Sequence, residues 1–229
     1  HCCCAAVSGW PHSTPASLPL NQSTINNPPY KQRMSQAAPT FSLAVYCGSR
    51  DGFEPAFLSA AEATGHWIGS HGGQLVYGGG NTGLMGCIAR ACQAAGGRVV
   101  GVMPQALVDR EVANNNCDEL IVVQTMHERK QIMADRADAF LALPGGIGTF
   151  EEFFEIWTWR QLGYHNKPVG LLNVNRYYDP LLQFIAHAVD SKFMDQKQMA
   201  MIKHQSDMAT LLPELIEQAG FSAVLKRFD

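Results

Sequence analysis

Short apolar runs alternate with helical patterns from residue 40 onward, and this alternation predicts a series of strands and helices. Strands are predicted at Phe41–Cys47, Gln74–Tyr77, Arg98–Met103, Glu119–Met126, Ala139–Leu143, Pro168–Val174 and, last, Met199–His204. Helices are predicted at Pro55–Ser70, Leu84–Ala95, His127–Ala137, Phe150–Leu162, Pro180–Ser191 and Asp207–Gln218. Gly220 follows the last of these helices, where a glycine commonly ends a helix.

Repeated alternation of strand and helix predicts an α/β fold, a Rossmann-like, doubly wound and mainly parallel sheet with helices on both faces. The strand runs are continuously apolar, as expected for strands that are buried on both sides. We expect residues 40–229 to form a single domain of this kind. Ligands of such folds bind beyond the carboxyl ends of the strands. The residues that follow predicted strands are therefore candidates for a site, and they include Gly48-Ser49-Arg50, Gly78–Gly83, Met103-Pro104, His127–Lys130 and Gly145–Thr149.

Residues 1–39 differ from the rest and predict a flexible N-terminal extension. Residues 1–33 are rich in Ser, Pro, Asn and Thr and show no sustained period. Such a segment buries too little apolar area to offset the entropy lost on ordering. We expect Met34 to be the natural start, and residues 1–33 to come from an added segment or an upstream frame.

The composition disfavours several classes of function. The 229 residues are 46% hydrophobic and 16% charged, with a formal net charge of −3 and no long Lys/Arg cluster, so a nucleic-acid surface is not favoured. No apolar run approaches the roughly 18 residues that span a bilayer, and no membrane partner is expected. Three of the seven cysteines crowd the N-terminus and four are scattered singly, which favours thiols in a reducing, cytoplasmic compartment. No ligand cluster that requires a metal or a cofactor is recognised.

The stretch Pro144–Glu152 carries the strongest chemical signal. It places Gly145, Gly146 and Gly148 between a predicted strand and a predicted helix. Backbone N–H groups at such a junction form a site for phosphate. Thr149 either caps the helix or donates to a phosphate oxygen, and the acids Glu151 and Glu152 are also favourable at a helix N-terminus simply through its dipole.

Two further clusters bear on the same site. Gly78–Gly83 satisfies the dinucleotide pattern GxGxxG, but the expected acid is missing from the end of the next strand. A tight turn and a loop that lines a mononucleotide pocket both remain open. Met126–Lys130 ends the strand before the Pro144 loop, so Arg129 and Lys130 either neutralise a phosphate or hold a ribose there, or belong to a solvated helix face.

These clusters, together with Gly83-Leu84-Met85-Gly86 and Thr158–Pro168, resemble the Lonely Guy (LOG) family, the cytokinin riboside 5′-monophosphate phosphoribohydrolases. Members of this family were formerly labelled lysine decarboxylase-like, but no lysine here lies in a recognisable pyridoxal context. The resemblance runs from about Phe41 to Gly220, and the PGGxGTxxE pattern is matched at every fixed position. Ile147 and Phe150 occupy variable positions of that pattern and would alter the pocket wall.

The resemblance implies roles for individual residues. Arg129 and Glu152 fall on the catalytic pair. Substrate-contacting positions fall on Lys130, Gly146, Ile147, Gly148, Thr149, Phe150, Glu151 and Thr158, and on Glu111. Gly145 belongs to the same phosphate loop, and Gly48 and Ser49 are added as strand-end residues. The resemblance also implies a homodimer with the active site near the subunit interface.

The expected reaction is therefore hydrolysis of the N-glycosidic bond of a cytokinin riboside 5′-monophosphate, of AMP, or of both. The products would be a free adenine-type base and ribose 5-phosphate. Such cleavage develops oxocarbenium character on the sugar, which a carboxylate such as Glu152 stabilises. Two alternatives stay open: a broader nucleoside-monophosphate nucleosidase, and a non-catalytic nucleotide-binding module on the same scaffold.

Overall fold

The computed structural model describes residues 38–109 and 113–225. The predictions for the N-terminal extension, including the start at Met34, lie outside these residues, as does the predicted contact of Glu111. The strands are β1 (Ser42–Tyr46), β2 (Gln74–Tyr77), β3 (Arg98–Pro104), β4 (Glu119–Val123), β5 (Ala139–Ala142), β6 (Val169–Leu172) and β7 (Ile202–Gln205). The helices are α1 (Pro55–Ser70), α2 (Gly83–Ala94), α3 (Gln105–Val108), α4 (Met126–Asp135), α5 (Ile147–Gln161), α6 (Asp179–Asp190), α7 (Gln196–Met199), α8 (Met208–Gln218) and α9 (Ser222–Leu225). A short 3-10 helix covers Val174–Arg176.

Three predicted boundaries were wrong for local reasons. The strand predicted to reach Met126 ends at Val123, because Thr125 caps α4 in a reciprocal capping box with Glu128. Helix α5 begins three residues before Phe150, since the glycines leave the backbone free to turn directly into the helix. Met199 was predicted to open the last strand, but it ends α7, and β7 begins three residues later.

The sheet is parallel throughout, in the strand order β4-β3-β2-β1-β5-β6-β7. The predicted α/β, Rossmann-like class is therefore confirmed. The chain proceeds outward from β1 to β4 and then crosses back to β5 on the other side of β1. The order thus reverses between β1 and β5, and a crevice opens at their carboxyl ends, where ligands of such sheets bind.

Apolar side chains cover the sheet on both faces. One buried cluster joins Leu43 and Val45 of β1 to helices α1, α2 and α8. The other joins Ala44 and Tyr46 of the same strand to α4, α5 and α6. Alternate residues of one strand thus pack into opposite cores, which is why the central strands are apolar at nearly every position. Within the described ranges no helix is both long and apolar enough to cross a membrane.

Candidate active site

A cleft of about 630 Å³ lies at the crevice between β1 and β5. Residues that follow these two strands line it, together with the start of α2, one residue of α4 and the start of α5. The lining residues are Cys47, Gly48, Ser49, Arg50, Asp51, Gly52, Phe57, Leu84, Met85, Arg129, Pro144, Gly145, Gly146, Ile147, Gly148, Thr149, Glu152 and Tyr177. The chain-order reversal of the sheet therefore brings together the predicted strand-end residues 48–50 and 145–149, together with Arg129. The predicted residues 78–83 and 103–104 do not line this cleft.

The phosphate loop, residues 144–149, presents the N-terminus of α5 to this cleft. Gly146 is the N-cap, and no side chain caps the helix. The first amides of a helix have no acceptor within it, so the N–H groups from Ile147 to Thr149 are available to an anion. The loop is packed closely against β1: the Gly48 N–H donates to the Pro144 carbonyl at 3.0 Å. A Cβ on Gly145 would overlap the Thr149 hydroxyl and lie 2.8 Å from the Gly48 nitrogen.

Arg129 and Glu152 form a buried ion pair beside this loop. The Arg129 Nη1 lies 2.6 Å from the Glu152 Oε1, and each side chain is 10% exposed. The Arg129 Nε also donates to the Val102 carbonyl at 3.0 Å. Because α4 carries the arginine and α5 the glutamate, the pair joins two helices at the cleft wall. Both predicted catalytic residues therefore lie together in the cleft, two turns or less from the helix N-termini.

Burial governs the protonation of the carboxyl and thiol groups here. It raises the pKa of the Glu152 carboxyl, and the adjacent Arg129 guanidinium only partly opposes this effect. The direction of this shift favours the protonated form of the carboxyl over the carboxylate. Burial also raises the pKa of the Cys47 thiol well above its ordinary value. Cys47 therefore lines the cleft as a protonated thiol, which excludes it as a nucleophile at neutral pH.

The second glycine loop, Gly78–Gly83, does not line the cleft, but its Gly78 packs against Arg129. A Cβ on Gly78 would overlap the Arg129 guanidinium nitrogen Nη2. Gly79 has a φ of +77°, a conformation that favours glycine. The sequence left open a tight turn or a loop that lines a mononucleotide pocket, and the structure favours the tight turn. It leaves the space in which Arg129 reaches Glu152.

Lys130 and Glu151 face away from the cleft. The Lys130 Nζ lies 2.5 Å from the Glu151 Oε1 and 3.0 Å from the Glu155 Oε1. Burial works to lower the pKa of Lys130, but these two hydrogen bonds outweigh it and leave the pKa raised. Consecutive residues of a helix point about 100° apart, so Lys130 and Glu151 occupy a neighbouring face while Arg129 and Glu152 share the cleft.

Two other predicted contacts also lie off the cleft. The Phe150 ring packs edge-on against Tyr178, with ring centroids 6.3 Å apart. The Thr158 hydroxyl donates to the Phe154 carbonyl of its own helix at 2.7 Å. The cleft therefore brings together the loop 144–149, the predicted catalytic residues Arg129 and Glu152 and the Gly48-Ser49 turn. The other predicted contacts, Lys130, Phe150, Glu151 and Thr158, do not line it.

Tyr177 is a cleft residue that the sequence reasoning missed. Its hydroxyl donates to the Gly145 carbonyl at 2.6 Å, and its ring meets that of Phe57 edge-on. The two residues before it, Asn175 and Arg176, have φ values of +47° and +62°. Such backbone is costly for residues other than glycine and is tolerated where it serves a site. No local sequence signal indicated that this turn reaches the phosphate loop.

In the part of the chain that the structure describes, no group of three or more His, Cys, Asp or Glu side chains is placed to hold a metal ion. The charged groups that line the cleft are two arginines and two carboxylates.

A family model described as possible lysine decarboxylase matches residues 85–215. Among curated proteins, the cytokinin riboside 5′-monophosphate phosphoribohydrolase LOG2 of Arabidopsis thaliana is 46% identical over 77% of this chain and 82% of its own length. A cytokinin riboside 5′-monophosphate phosphoribohydrolase of Rhodococcoides fascians is 49% identical over 70% of this chain and 82% of its own.

Solved structures show the same fold at lower identity. The molybdenum cofactor binding protein from Rippkaea orientalis superposes with a TM-score of 0.57 at 20% identity, over 85% of this chain and all of its own. The Moco carrier protein from Chlamydomonas reinhardtii gives a TM-score of 0.57 at 21% identity, over 83% of this chain and 99% of its own. At this identity the likeness concerns the fold alone.

Proposed function

The chain belongs to the LOG family of cytokinin riboside 5′-monophosphate phosphoribohydrolases, and on that premise we propose that it hydrolyses nucleoside 5′-monophosphates of the adenine type. The substrates are cytokinin riboside 5′-monophosphates, AMP, or both. The products are a free base and ribose 5-phosphate. The observation that carries the proposal is the buried Arg129–Glu152 pair beside the uncapped N-terminus of α5, within one cleft.

The phosphate binds to the amides of Ile147, Gly148 and Thr149, because no side chain caps this helix N-terminus. Binding there is remote from the bond that breaks. It fixes the ribose in the cleft and converts binding energy into alignment of C1′ with the catalytic pair.

The reaction breaks the bond between C1′ of the ribose and a nitrogen of the base. The electron pair leaves with the base, and positive charge develops on C1′ and the ring oxygen. The Glu152 carboxylate stabilises that charge and takes a proton from the attacking water, whose oxygen bonds to C1′. The proton that Glu152 took from water passes to the departing base, so the carboxylate is regenerated and the overall change is the addition of one water. Arg129 holds Glu152 in place through their 2.6 Å contact.

We propose that the protein acts as a homodimer in the cytoplasm. The outer face of α5 and the turn after it expose apolar side chains: Phe154 is 37% exposed, Leu162 61% and Tyr164 75%. Thr158, on the same helix, lies off its own cleft, and a second subunit would explain a substrate contact there. The described cysteines are free thiols, as is usual in the cytoplasm. Light scattering after size exclusion tests the assembly: Leu162→Glu should give a monomer, and a monomeric wild type would contradict the proposal.

A side-by-side substrate panel tests the activity. Isopentenyladenosine monophosphate, AMP, GMP and CMP are incubated with the protein, and free base and ribose 5-phosphate are quantified. Release from the adenine-type nucleotides alone is the expected result. Comparable release from CMP and GMP would indicate a broader nucleosidase, and no release from any nucleotide by folded protein would refute the proposal.

A further inference from the structure

Arg50 is a cation of the cleft to which the proposed chemistry assigns no role. It lies in the turn after β1, four residues beyond Tyr46, lines the cleft and is exposed to solvent. Among the residues that the structure describes, none accepts a hydrogen bond from its guanidinium or forms an ion pair with it. An arginine without a partner beside an anion-binding loop is a candidate ligand for the anion itself.

The charge balance of the cleft supports this role. A phosphomonoester carries roughly −1.5 to −2 at neutral pH. Arg129 is already committed to Glu152 through the buried ion pair. The lining also contains Asp51, so its two arginines and two carboxylates cancel formally. The lining of the cleft therefore has no excess positive charge that would attract a phosphate from a distance. Arg50, which has no ion-pair partner among the described residues, would have to act by direct contact with the phosphate.

The backbone around Arg50 is held firmly in the position this contact requires. The Thr82 hydroxyl donates to the Ser49 carbonyl at 3.2 Å, and the Met85 N–H donates to the Gly48 carbonyl at 3.3 Å. Gly83, with a φ of +61°, packs so closely that a Cβ there would overlap the Ser49–Arg50 peptide. The start of α2 thus fixes the turn that carries Arg50.

The same turn touches the phosphate loop. A Cβ on Gly48 would lie 3.1 Å from the Arg50 carbonyl oxygen and 3.4 Å from the Gly145 Cα. The backbone of Arg50 is therefore separated from the loop by the width of a single glycine. An arginine side chain extends well beyond that distance, and its planar fork matches two oxygens of a phosphate.

We propose that Arg50 binds the 5′-phosphate of the nucleotide, opposite the amides of α5, and so selects nucleoside monophosphates over nucleosides. The inference rests on the proposed function, since it assumes that a nucleotide occupies this cleft. It assigns the discrimination to one side chain and leaves the bond cleavage to Arg129 and Glu152.

The test measures binding without turnover. Formycin 5′-monophosphate and formycin are analogues of AMP and adenosine whose base is joined to the ribose through carbon, so the bond cannot be hydrolysed. Their affinities for the full-length protein are measured by calorimetry. Arg50→Gln should lower the affinity for formycin 5′-monophosphate by about 10- to 100-fold, the loss expected for a charge-assisted contact. The affinity for formycin should not change. Arg50→Lys should recover part of the loss, because the charge returns without the fork.

Arg90→Gln is the matched control. Arg90 lies on α2, is exposed and does not line the cleft, so its removal changes the net charge equally. The inference is overturned if Arg50→Gln leaves the affinity for the monophosphate unchanged, or if it lowers the affinities for both analogues equally. It is also overturned if Arg90→Gln lowers the affinity for the monophosphate as much as Arg50→Gln does. These readouts are independent of activity. A protein that releases no base but binds the monophosphate through Arg50 would refute the proposed function alone.

Discussion

The buried pair of Arg129 and Glu152 makes a quantitative prediction about stability. Arg129→Ala leaves the Glu152 carboxyl in a site where its side chain is only 10% exposed, without the guanidinium that lies 2.6 Å away. Removing one member of a buried ion pair costs about 3–5 kcal/mol. Glu152→Gln keeps an oxygen that accepts from Arg129, which also remains bonded to the Val102 carbonyl. Its cost should be smaller, about 1–3 kcal/mol.

The double variant separates the pair from its surroundings. Once Glu152 is neutral, the absence of Arg129 no longer strands a charge, so the costs of the single substitutions should not add. We expect the double variant to be more stable than the sum predicts by roughly 1–3 kcal/mol. Urea unfolding, followed by circular dichroism and fluorescence, gives the four free energies of unfolding.

The exposed pair of Lys203 and Glu214 provides a matched control. Its atoms approach to 2.7 Å, but both side chains are about one-third exposed, so the same cycle of substitutions should give only about 0.2–1 kcal/mol. A cycle at Arg129 and Glu152 that is additive within about 0.5 kcal/mol would refute the reasoning. All three cleft variants should release little or no base, whatever their stability.

Four further predictions concern single residues. Gly78→Ala should cost about 1–3 kcal/mol of stability, because its methyl group displaces the Arg129 guanidinium, and base release should fall with it. Tyr177→Phe removes the hydroxyl that holds the Gly145 carbonyl; a lost bond of about 1 kcal/mol should raise the KM for nucleotide about fivefold. Lys192→Gly should gain roughly 0.5 kcal/mol in urea unfolding, since Lys192 has a φ of +67°. The pKa of Glu152 is raised in the folded state, so this residue contributes fully to the free energy of unfolding below about pH 4.3, the pKa of an unperturbed glutamate. That contribution is lost as the pH rises through the folded-state pKa. In Glu152→Gln the free energy of unfolding should not show this loss.

Each of these has a comparison that would contradict it. Gly148→Ala places a methyl group in open space on α5 and should be stable, so an equal loss in both glycine variants would remove the argument for Gly78. Ser191→Gly, one residue before Lys192 but with a φ of −75°, should lower stability. An unchanged KM in Tyr177→Phe would mean that the loop needs no such support. Parallel pH–stability curves for wild type and Glu152→Gln would show that the glutamate titrates normally.

The apolar runs were sufficient to predict the fold class, because a strand that is buried on both faces must be apolar at nearly every position. Their order along the chain, alternating with helices, predicted the parallel sheet. The glycines of the phosphate loop and the neighbouring Glu152 were equally visible, since a strand, a glycine turn and a helix lie in one continuous segment. Arg129 was identified because the cluster 126–130 was predicted to end a strand, and the resemblance to the LOG family implied its role.

Strand order is decided by tertiary packing, and several features of the site depend on it. Because β1 lies between β2 and β5, the turn with Arg50 meets the phosphate loop although nearly 100 residues separate them in the chain. The separation of Arg129 from Lys130, and of Glu152 from Glu151, follows from how α4 and α5 face each other. Tyr177 reaches Gly145 only through a left-handed turn of non-glycine residues, which sequence patterns disfavour. Local sequence patterns were enough to identify the candidate segments, because a strand, its turn and the helix that follows are continuous in the chain. Only the fold decided which of their side chains share one cleft, because that depends on the packing of elements distant in sequence.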